Sequence, residues 1–165
     1  MTAYSATDWG GFGTTAATAA ATLTGLLFIA VSINLKQILD NEPLPGRAAQ
    51  TLIFFAFPMM VALLLVVPAQ ARAALGGELI ATGAFAWATA MVIDHRAGRS
   101  EYEPAWSRLL TRIVPMTVSS LCVIFAGVSE VAGAGGGLYW LVPATAIAIL
   151  AGLVNTWVLL VEILR

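Results

Sequence analysis

The chain has 165 residues, of which 59% are hydrophobic, and its charged side chains are only 8 Lys or Arg and 9 Asp or Glu. Soluble domains carry about 25% charged residues, so the composition excludes a soluble globular protein, whose surface these few polar side chains could not cover. It also excludes a disordered chain and a disulfide scaffold, because the chain is apolar and holds a single cysteine. The composition therefore indicates an integral membrane protein.

Uncharged stretches along the chain mark the expected membrane spans. A helix needs about 20 apolar residues to cross a hydrocarbon core of about 30 Å. Five uncharged stretches reach or approach this length, and they predict an all-α bundle that forms a single transmembrane domain over residues 1–165. Trimmed at their turn residues, the predicted spans are 14–35, 49–68, 75–93, 113–131 and 138–161.

The distribution of Lys and Arg predicts how the bundle is oriented. The third span is short and begins close to Glu78, but only with this span included does one face collect seven of the eight basic residues, leaving Arg72 on the other. Cytoplasmic loops are enriched in Lys and Arg, so we expect the N-terminus outside and the C-terminus in the cytoplasm. No basic residue precedes the first span, which argues against a cleaved signal peptide. The Ala- and Gly-rich composition favours a bacterial cytoplasmic (inner) membrane.

The first two predicted helices differ in how closely other helices can approach them. Aromatic and glycine residues such as Tyr4 and Trp9 precede the first helix and are typical of a membrane interface. The outer half of that helix is built from Ala and Thr, which allow close approach of a neighbouring backbone. A turn rich in Pro and Gly follows at residues 40–47, and Pro58 in the middle of the second helix predicts a kink.

The two later loops carry different signals. In the long inner loop, Trp106 and the leucines after it alternate with Arg108 and Arg112, a pattern typical of an interfacial helical turn whose arginines reach lipid phosphates. Residues 132–137 contain only Gly and Ala, which predicts a flexible outer turn, and without a following Lys and Ser or Thr they make no phosphate loop. Trp140 then marks the outer interface of the fifth span.

Small and polar residues recur at helical spacing on three of the predicted helices. Spacings of three, four or seven residues put such residues on one face of a helix. Two interpretations stay open, because such a face can pack against another helix or can line a wet path between subunits. The three seams are Thr18, Thr22, Gly25, Ser32 and Lys36 on the first helix, Thr117, Ser120, Gly127 and Glu130 on the fourth, and Thr145, Ala148, Gly152, Asn155 and Glu162 on the fifth.

Ionisable and amide side chains near the membrane are the candidate functional groups, because an ionisable group inside hydrocarbon is costly and usually paired or functional. Glu78 and Glu130 are predicted at the outer ends of their helices. There they either reach interfacial water or form an acidic vestibule that attracts cations. Glu162 is expected to pair with a basic residue of the inner face. We expect Asn34 and Asn155 to make hydrogen bonds between helices.

Catalytic and metal-binding residues are scarce in the sequence. His95 is the only histidine and Cys122 the only cysteine, so no conventional metal site is expected and a cysteine nucleophile would lack a base. The serines of the fourth span have no histidine near them in the sequence. We therefore expect a protein that is not an enzyme, that needs no cofactor or metal, and that has no nucleic-acid partner.

Five runs of the sequence resemble those of small, mostly uncharacterised polytopic membrane proteins of actinobacteria. Some members of that group are labelled modulators of an FtsH-type membrane protease, so the resemblance implies an accessory role and supplies no catalytic residues. The runs are Gly25–Leu35, Leu44–Arg47, Val67–Gln70, Gly136–Leu141 and Trp157–Arg165.

The three seams, found without a catalytic constellation, lead to one functional hypothesis and an alternative. The first is a non-enzymatic protein of the lipid bilayer that acts through helix–helix contacts, as a homo-oligomer or as an accessory or modulator subunit of a membrane complex. The alternative is a small homo-oligomeric ion channel or transporter with an acidic outer vestibule.

Overall fold

The computed structural model describes residues 3–41, 43–97 and 105–163, and these ranges fold into helices that pack side by side. Short turns of 3-10 helix at Ala6–Trp9 and Gly137–Trp140 and a π-helical turn at Leu109–Ile113 join them. The α-helices are α1 (Gly10–Ile33), α2 (Leu35–Asp40), α3 (Pro43–Val66), α4 (Arg72–Arg96), α5 (Ala105–Arg108), α6 (Val114–Ala132) and α7 (Leu141–Ile163).

Within the described ranges, five helical stretches are long and apolar enough to cross a membrane. Each contains most of one predicted span, so these ranges confirm the predicted all-helical fold with five helices long and apolar enough to span a membrane. The third stretch, which the short uncharged run left in question, is a helix of 25 residues that accommodates Glu78. The stretches are Ala6–Ile33, Leu44–Val66, Arg72–Arg96, Trp106–Ala132 and Gly137–Glu162.

Helix α3 is the centre of the bundle and packs on α1, α4 and α7. Its aromatic side chains Phe54, Phe55 and Phe57 are at most 3% exposed. Pro58 lies inside this helix, as predicted. Because lipid tails are as apolar as these side chains, close packing and hydrogen bonding hold the helices together, rather than the hydrophobic effect. The contacts of small residues therefore decide which faces meet.

Helices α4 and α6 approach each other closely, through glycines. A Cβ atom built on Gly76 would lie 2.7 Å from the carbonyl oxygen of Gly127, and one built on Gly127 would lie 2.5 Å from the carbonyl oxygen of Gly76. One heptad further along, a Cβ on Gly83 would lie 3.1 Å from the carbonyl oxygen of Ser120. The seam predicted on the fourth span is therefore buried in a helix crossing that only small residues allow.

The seam of α7 is also buried between helices. Gly152 faces the ring of Phe55 on α3, and a Cβ there would overlap that ring. On the other side, the Ser119 hydroxyl of α6 donates a 2.7 Å hydrogen bond to the carbonyl of Ala144. Thr145 is 8% exposed. Like the seam of α6, this face therefore holds neighbouring helices of one chain together.

The two ends of the bundle have different chemistry. We call one the Arg72 end; it holds residues 3–9 and the connections 67–71 and 133–136. We call the other the arginine-rich end; it holds residues 34–41, the end of α4, the residues 105–113 and the end of α7. Lys36, Arg47, Arg96, Arg108 and Arg112 lie at the arginine-rich end, while Arg99 and Arg165, which were also expected there, lie outside the described residues.

The glycine-rich turn after α6 is tied to the N-terminal segment. The backbone amide of Leu138 donates to the carbonyl of Ala3 at 2.9 Å, and that of Gly137 donates to the Ser129 hydroxyl at 2.7 Å. The Tyr4 hydroxyl accepts a hydrogen bond from the Gly136 amide. The sequence predicted a flexible turn, and the structure adds these specific bonds. The turn needs glycine because four of its residues have positive φ, namely Gly133, Gly135, Gly136 and Gly137.

Candidate functional site

The seam of α1 faces away from the bundle. Its residues Thr18, Thr22, Gly25 and Ser32 are all exposed. The hydroxyls of Thr18 and Thr22 donate to carbonyls one turn earlier in their own helix, both at 2.8 Å. The face that α1 turns inward is instead Gly13, Ala16, Ala20 and Leu27. Of the three predicted seams, this one is therefore left without a helix of the same chain against it.

The polar residues of the α6 seam make contacts with α4 or lie in the crossing. Thr117 accepts a hydrogen bond from the Trp87 indole of α4 at 3.2 Å. Ser120 is 1% exposed, and its hydroxyl finds no hydrogen-bond partner among the described residues. The structure therefore brings these two predicted site residues into a packed contact between adjacent helices.

Glu130 is buried at the Arg72 end. Its side chain is 1% exposed and its Oε2 lies 3.4 Å from Nε of Arg72. Nη2 of Arg72 also donates to the Glu130 carbonyl at 3.3 Å. The interpretation that Glu130 reaches interfacial water is therefore wrong, because its carboxylate is buried inside the protein, where Arg72 is its ion-pair partner. Arg72 was the partner that sequence reasoning missed, although it begins α4 beside the last turn of α6.

Glu78 has a different environment from Glu130. It is exposed on α4, and its carboxylate accepts a hydrogen bond from the side-chain amide of Gln70 in the connection that precedes the helix. The interpretation that Glu78 reaches interfacial water therefore agrees with its exposed position. Of the two glutamates predicted to form an acidic vestibule, Glu78 is therefore exposed and Glu130 is buried in an ion pair with Arg72.

At the arginine-rich end, Asp94 is the centre of a buried ionic network. It is 4% exposed and lies in the last turn of α4. Nε of Arg108 lies 3.0 Å from both carboxylate oxygens, and Nη2 of the same residue donates to the Asp94 carbonyl at 2.7 Å. Nη1 of Arg112 is 3.9 Å from Oδ1. The network fastens the end of α4 to the start of the fourth spanning stretch.

The prediction that Arg108 and Arg112 reach lipid phosphates is wrong, because both guanidinium groups contact Asp94. Arg112 is 4% exposed, and the Arg108 guanidinium forms a fork on Asp94. Arg112 lies in the π-helical turn at Leu109–Ile113, whose additional residue per turn changes which side chains face inward. Trp106 and Trp140 are 67% and 40% exposed, at opposite ends of the bundle, where interfacial anchors belong.

The remaining predicted site residues divide between α7 and α1. Glu162 pairs with Arg47, one of the basic residues expected for it. The Asn155 amide donates to the carbonyl of Thr111 at 2.7 Å, which confirms the predicted hydrogen bond between helices. Asn34 instead donates to the carbonyl of Ala30 in its own helix at 2.8 Å, so the same prediction is wrong there. Asn34 follows the last residue of α1, and its side chain donates to a carbonyl of the last turn, where no following turn of the helix supplies a backbone donor.

Replacing Asn155 with leucine is expected to lower the free energy of unfolding by about 1 kcal/mol, because hydrogen bonds between membrane helices contribute about that much. The change removes the donor and leaves the Thr111 carbonyl without it. Unfolding in mixed detergent micelles, followed by tryptophan fluorescence, measures the loss. Thr156→Val is the matched control, because the Thr156 hydroxyl donates only within α7, to Gly152. Equal losses in both variants would contradict the assignment.

The chemistry of these sites is that of paired charges and helix contacts. Over residues 3–41, 43–97 and 105–163, no group of three His, Cys, Asp or Glu side chains lies close enough to hold a metal ion. Cys122 is a buried free thiol and His95 is exposed. Comparisons with protein-family models, with curated proteins and with solved structures find no match to this chain.

Proposed function

We propose that this chain is a non-enzymatic, multi-pass membrane protein that acts through helix contacts of α1, as a homo-oligomer or as an accessory or modulator subunit of a larger membrane complex. One observation carries the proposal. The seams of α6 and α7 are occupied by other helices of the chain, whereas the seam of α1 faces out of the bundle.

The composition of the exposed α1 face supports a protein contact there. A Cβ on Gly25 would meet no atom within 4 Å, so a second backbone has room to approach at this point. A helix face that meets only lipid does not need small side chains, because leucine packs equally well against acyl chains. Small side chains instead allow a neighbouring helix to approach closely and gain dispersion contacts. Helix α1 also packs mainly on α3 and leaves most of its circumference outside the bundle.

The resemblance to small actinobacterial membrane proteins supports the accessory form of this proposal, because some of those proteins are labelled modulators of an FtsH-type protease. The charge distribution supports an orientation with the arginine-rich end in the cytoplasm of a bacterium and the Arg72 end outside. Five basic side chains of the described ranges lie at the first end and one at the second.

Cysteine cross-linking in native membranes tests the contact. In a Cys122→Ala background, Thr18→Cys and Gly25→Cys are expected to give disulfide-linked adducts under mild oxidation, because the two positions lie seven residues apart on the proposed face. A homo-oligomer gives an adduct of twice the chain mass, and an accessory subunit gives one with a second protein. Ala20→Cys, at a position 0% exposed, serves as the inward-facing control.

A second control separates a specific contact from random collision in the membrane. Leu26 is 59% exposed and lies about 100° around α1 from Gly25, the seam position with which it is compared. If Leu26→Cys gives as much adduct as Gly25→Cys, or if neither seam position gives any, the proposed contact does not exist.

Ion flux is the outcome that would support the alternative function. The packing of the α6 and α7 seams against neighbouring helices supports contact rather than conduction, because it leaves those polar groups inside helix crossings. Purified protein in liposomes is therefore expected to pass no cation. A flux that falls in Glu78→Gln or Glu130→Gln would contradict the proposal and favour a channel or transporter.

A further inference from the structure

A cavity of about 580 Å³ opens at the Arg72 end, within the range of roughly 300–1,000 Å³ that is usual for small-ligand sites. Its walls come from the N-terminal segment, the first turns of α1 and the connection between α3 and α4. The end of α3 supplies an apolar wall that includes Leu65 and Val66, while Ser5, Thr7 and Arg72 supply polar groups. The lining is therefore apolar on one side and polar on the other.

The position of the cavity along the bundle indicates what kind of molecule it meets. It lies where the first spanning stretch begins, at Ala6, and where the second ends, at Val66. In a bilayer this is the boundary between hydrocarbon and headgroups. At that depth a lipid has apolar acyl chains on one side and polar glycerol and phosphate on the other, like the two sides of the cavity.

Arg72 is held with one part of its guanidinium available to a ligand. Its Nε and Nη2 bind Glu130, and the Tyr4 ring lies 4.9 Å from its central carbon. Its side chain is nevertheless 51% exposed. Among the described residues it is the one Lys or Arg side chain at this end. A guanidinium held in this way is suited to bind a phosphate through charge-assisted hydrogen bonds.

The neighbouring carboxylates decide the charge of the ligand. Asp8 follows the lining residue Thr7, and Glu78 accepts a hydrogen bond from the lining residue Gln70, so two exposed carboxylates lie beside the cavity without lining it. A purely anionic headgroup would meet their repulsion beside its attraction to Arg72. A headgroup that carries an ammonium group as well as a phosphate complements both signs. We propose that this cavity binds the headgroup of a zwitterionic phospholipid, with its phosphate on Arg72 and its ammonium group toward these carboxylates.

Native mass spectrometry of the full chain tests the site. The protein is extracted from nanodiscs that contain equal amounts of phosphatidylethanolamine and phosphatidylglycerol, and the lipids that survive increasing detergent are counted. Wild type is expected to retain phosphatidylethanolamine preferentially. Arg72→Gln is expected to weaken this retention about tenfold, the effect of losing a charge-assisted hydrogen bond. Arg96→Gln removes an exposed arginine at the opposite end and is expected to change nothing.

A double variant separates lipid binding from folding. Arg72→Gln alone leaves the Glu130 carboxylate buried without its cation, whereas Arg72→Gln with Glu130→Gln replaces the ion pair by two neutral amides. The double variant is expected to regain the stability of the bundle and still to lose the lipid. Recovery of retention in the double variant would overturn the proposal. So would equal retention of the two lipids, no retention by wild type, or retention that is independent of residue 72.

Discussion

Gly127→Leu is expected to destabilise the protein by about 3 kcal/mol, at the upper end of the usual cost of overpacking a core. A Cβ at this position would lie 2.5 Å from the carbonyl oxygen of Gly76 and 3.1 Å from the backbone nitrogen of Ile80. Both obstacles are backbone atoms, so no rotation of a side chain relieves the overlap and α4 and α6 must move apart. Reversible unfolding in mixed micelles measures the loss, with the Trp87 indole of α4 as a natural probe.

Gly77→Leu is the matched control for this change. A Cβ on Gly77 would meet no atom within 4 Å, although its neighbour Gly76 lies in the crossing itself. Both substitutions replace glycine by leucine within a helix and gain similar helix propensity, so their difference isolates the crossing. Gly76→Leu should reproduce the loss of Gly127→Leu. If Gly77→Leu is equally destabilising, the close approach of the two helices is not what the glycines provide.

The membrane spans were predictable because hydrocarbon imposes a length on any helix that crosses it. Gaps between charges therefore located all five stretches, including the one that contains Glu78. The partners of the seams were not predictable. A stripe of small residues has the same spacing whether it meets a helix of its own chain, as Gly127 does, or faces outward, as Gly25 does. Only the packing of the whole bundle distinguishes the two cases.

The partners of the buried charges were also beyond sequence reasoning. The alternation of Arg108 and Arg112 with leucines is compatible with snorkelling to lipid, and it predicted that outcome. The π-helical turn changes the register at Arg112, and Asp94 pairs with both arginines inside the protein. A single additional residue in a helical turn leaves no signature in composition or charge, so the geometry had to be observed.

Helix α4 is joined at three levels to α6 and to the residues just before it. Arg72 and Glu130 join them at one end, glycines join them in the middle, and Asp94 joins α4 to the residues just before α6 at the other end. Helix α1 contains no charged side chain and packs mainly on α3, where a Cβ on Gly13 would lie 3.0 Å from the carbonyl oxygen of Ala62. The bundle thus combines a firmly connected pair with a peripheral helix. If α1 contacts a partner, as proposed, the connected pair of helices can therefore keep its position.

Asp94→Ala tests the firmly connected part of this arrangement and is expected to cost about 3–5 kcal/mol, the usual consequence of removing one partner of a buried ion pair. The substitution leaves the guanidinium of Arg112, which is 4% exposed, without this carboxylate, and it removes the fork that Arg108 makes. Unfolding in mixed micelles measures the loss. The end of α4 should also become accessible to protease or to hydrogen exchange before the rest of the bundle unfolds.

Asp40→Ala is the control, because Asp40 is an exposed carboxylate at the same end of the bundle and an exposed charge contributes about 0–1 kcal/mol. A second variant, Asp94→Asn, keeps an acceptor for Arg108 without the charge and is expected to lie between Asp94→Ala and wild type. Similar stability of Asp94→Ala and Asp40→Ala would contradict the buried network. A loss confined to Asp94→Ala, with Asp94→Asn near wild type, would show that the hydrogen bonds matter more than the charge. Equal losses in Asp94→Ala and Asp94→Asn, which remove the same charge, would show that α4 is held at this end by the ion pairs themselves.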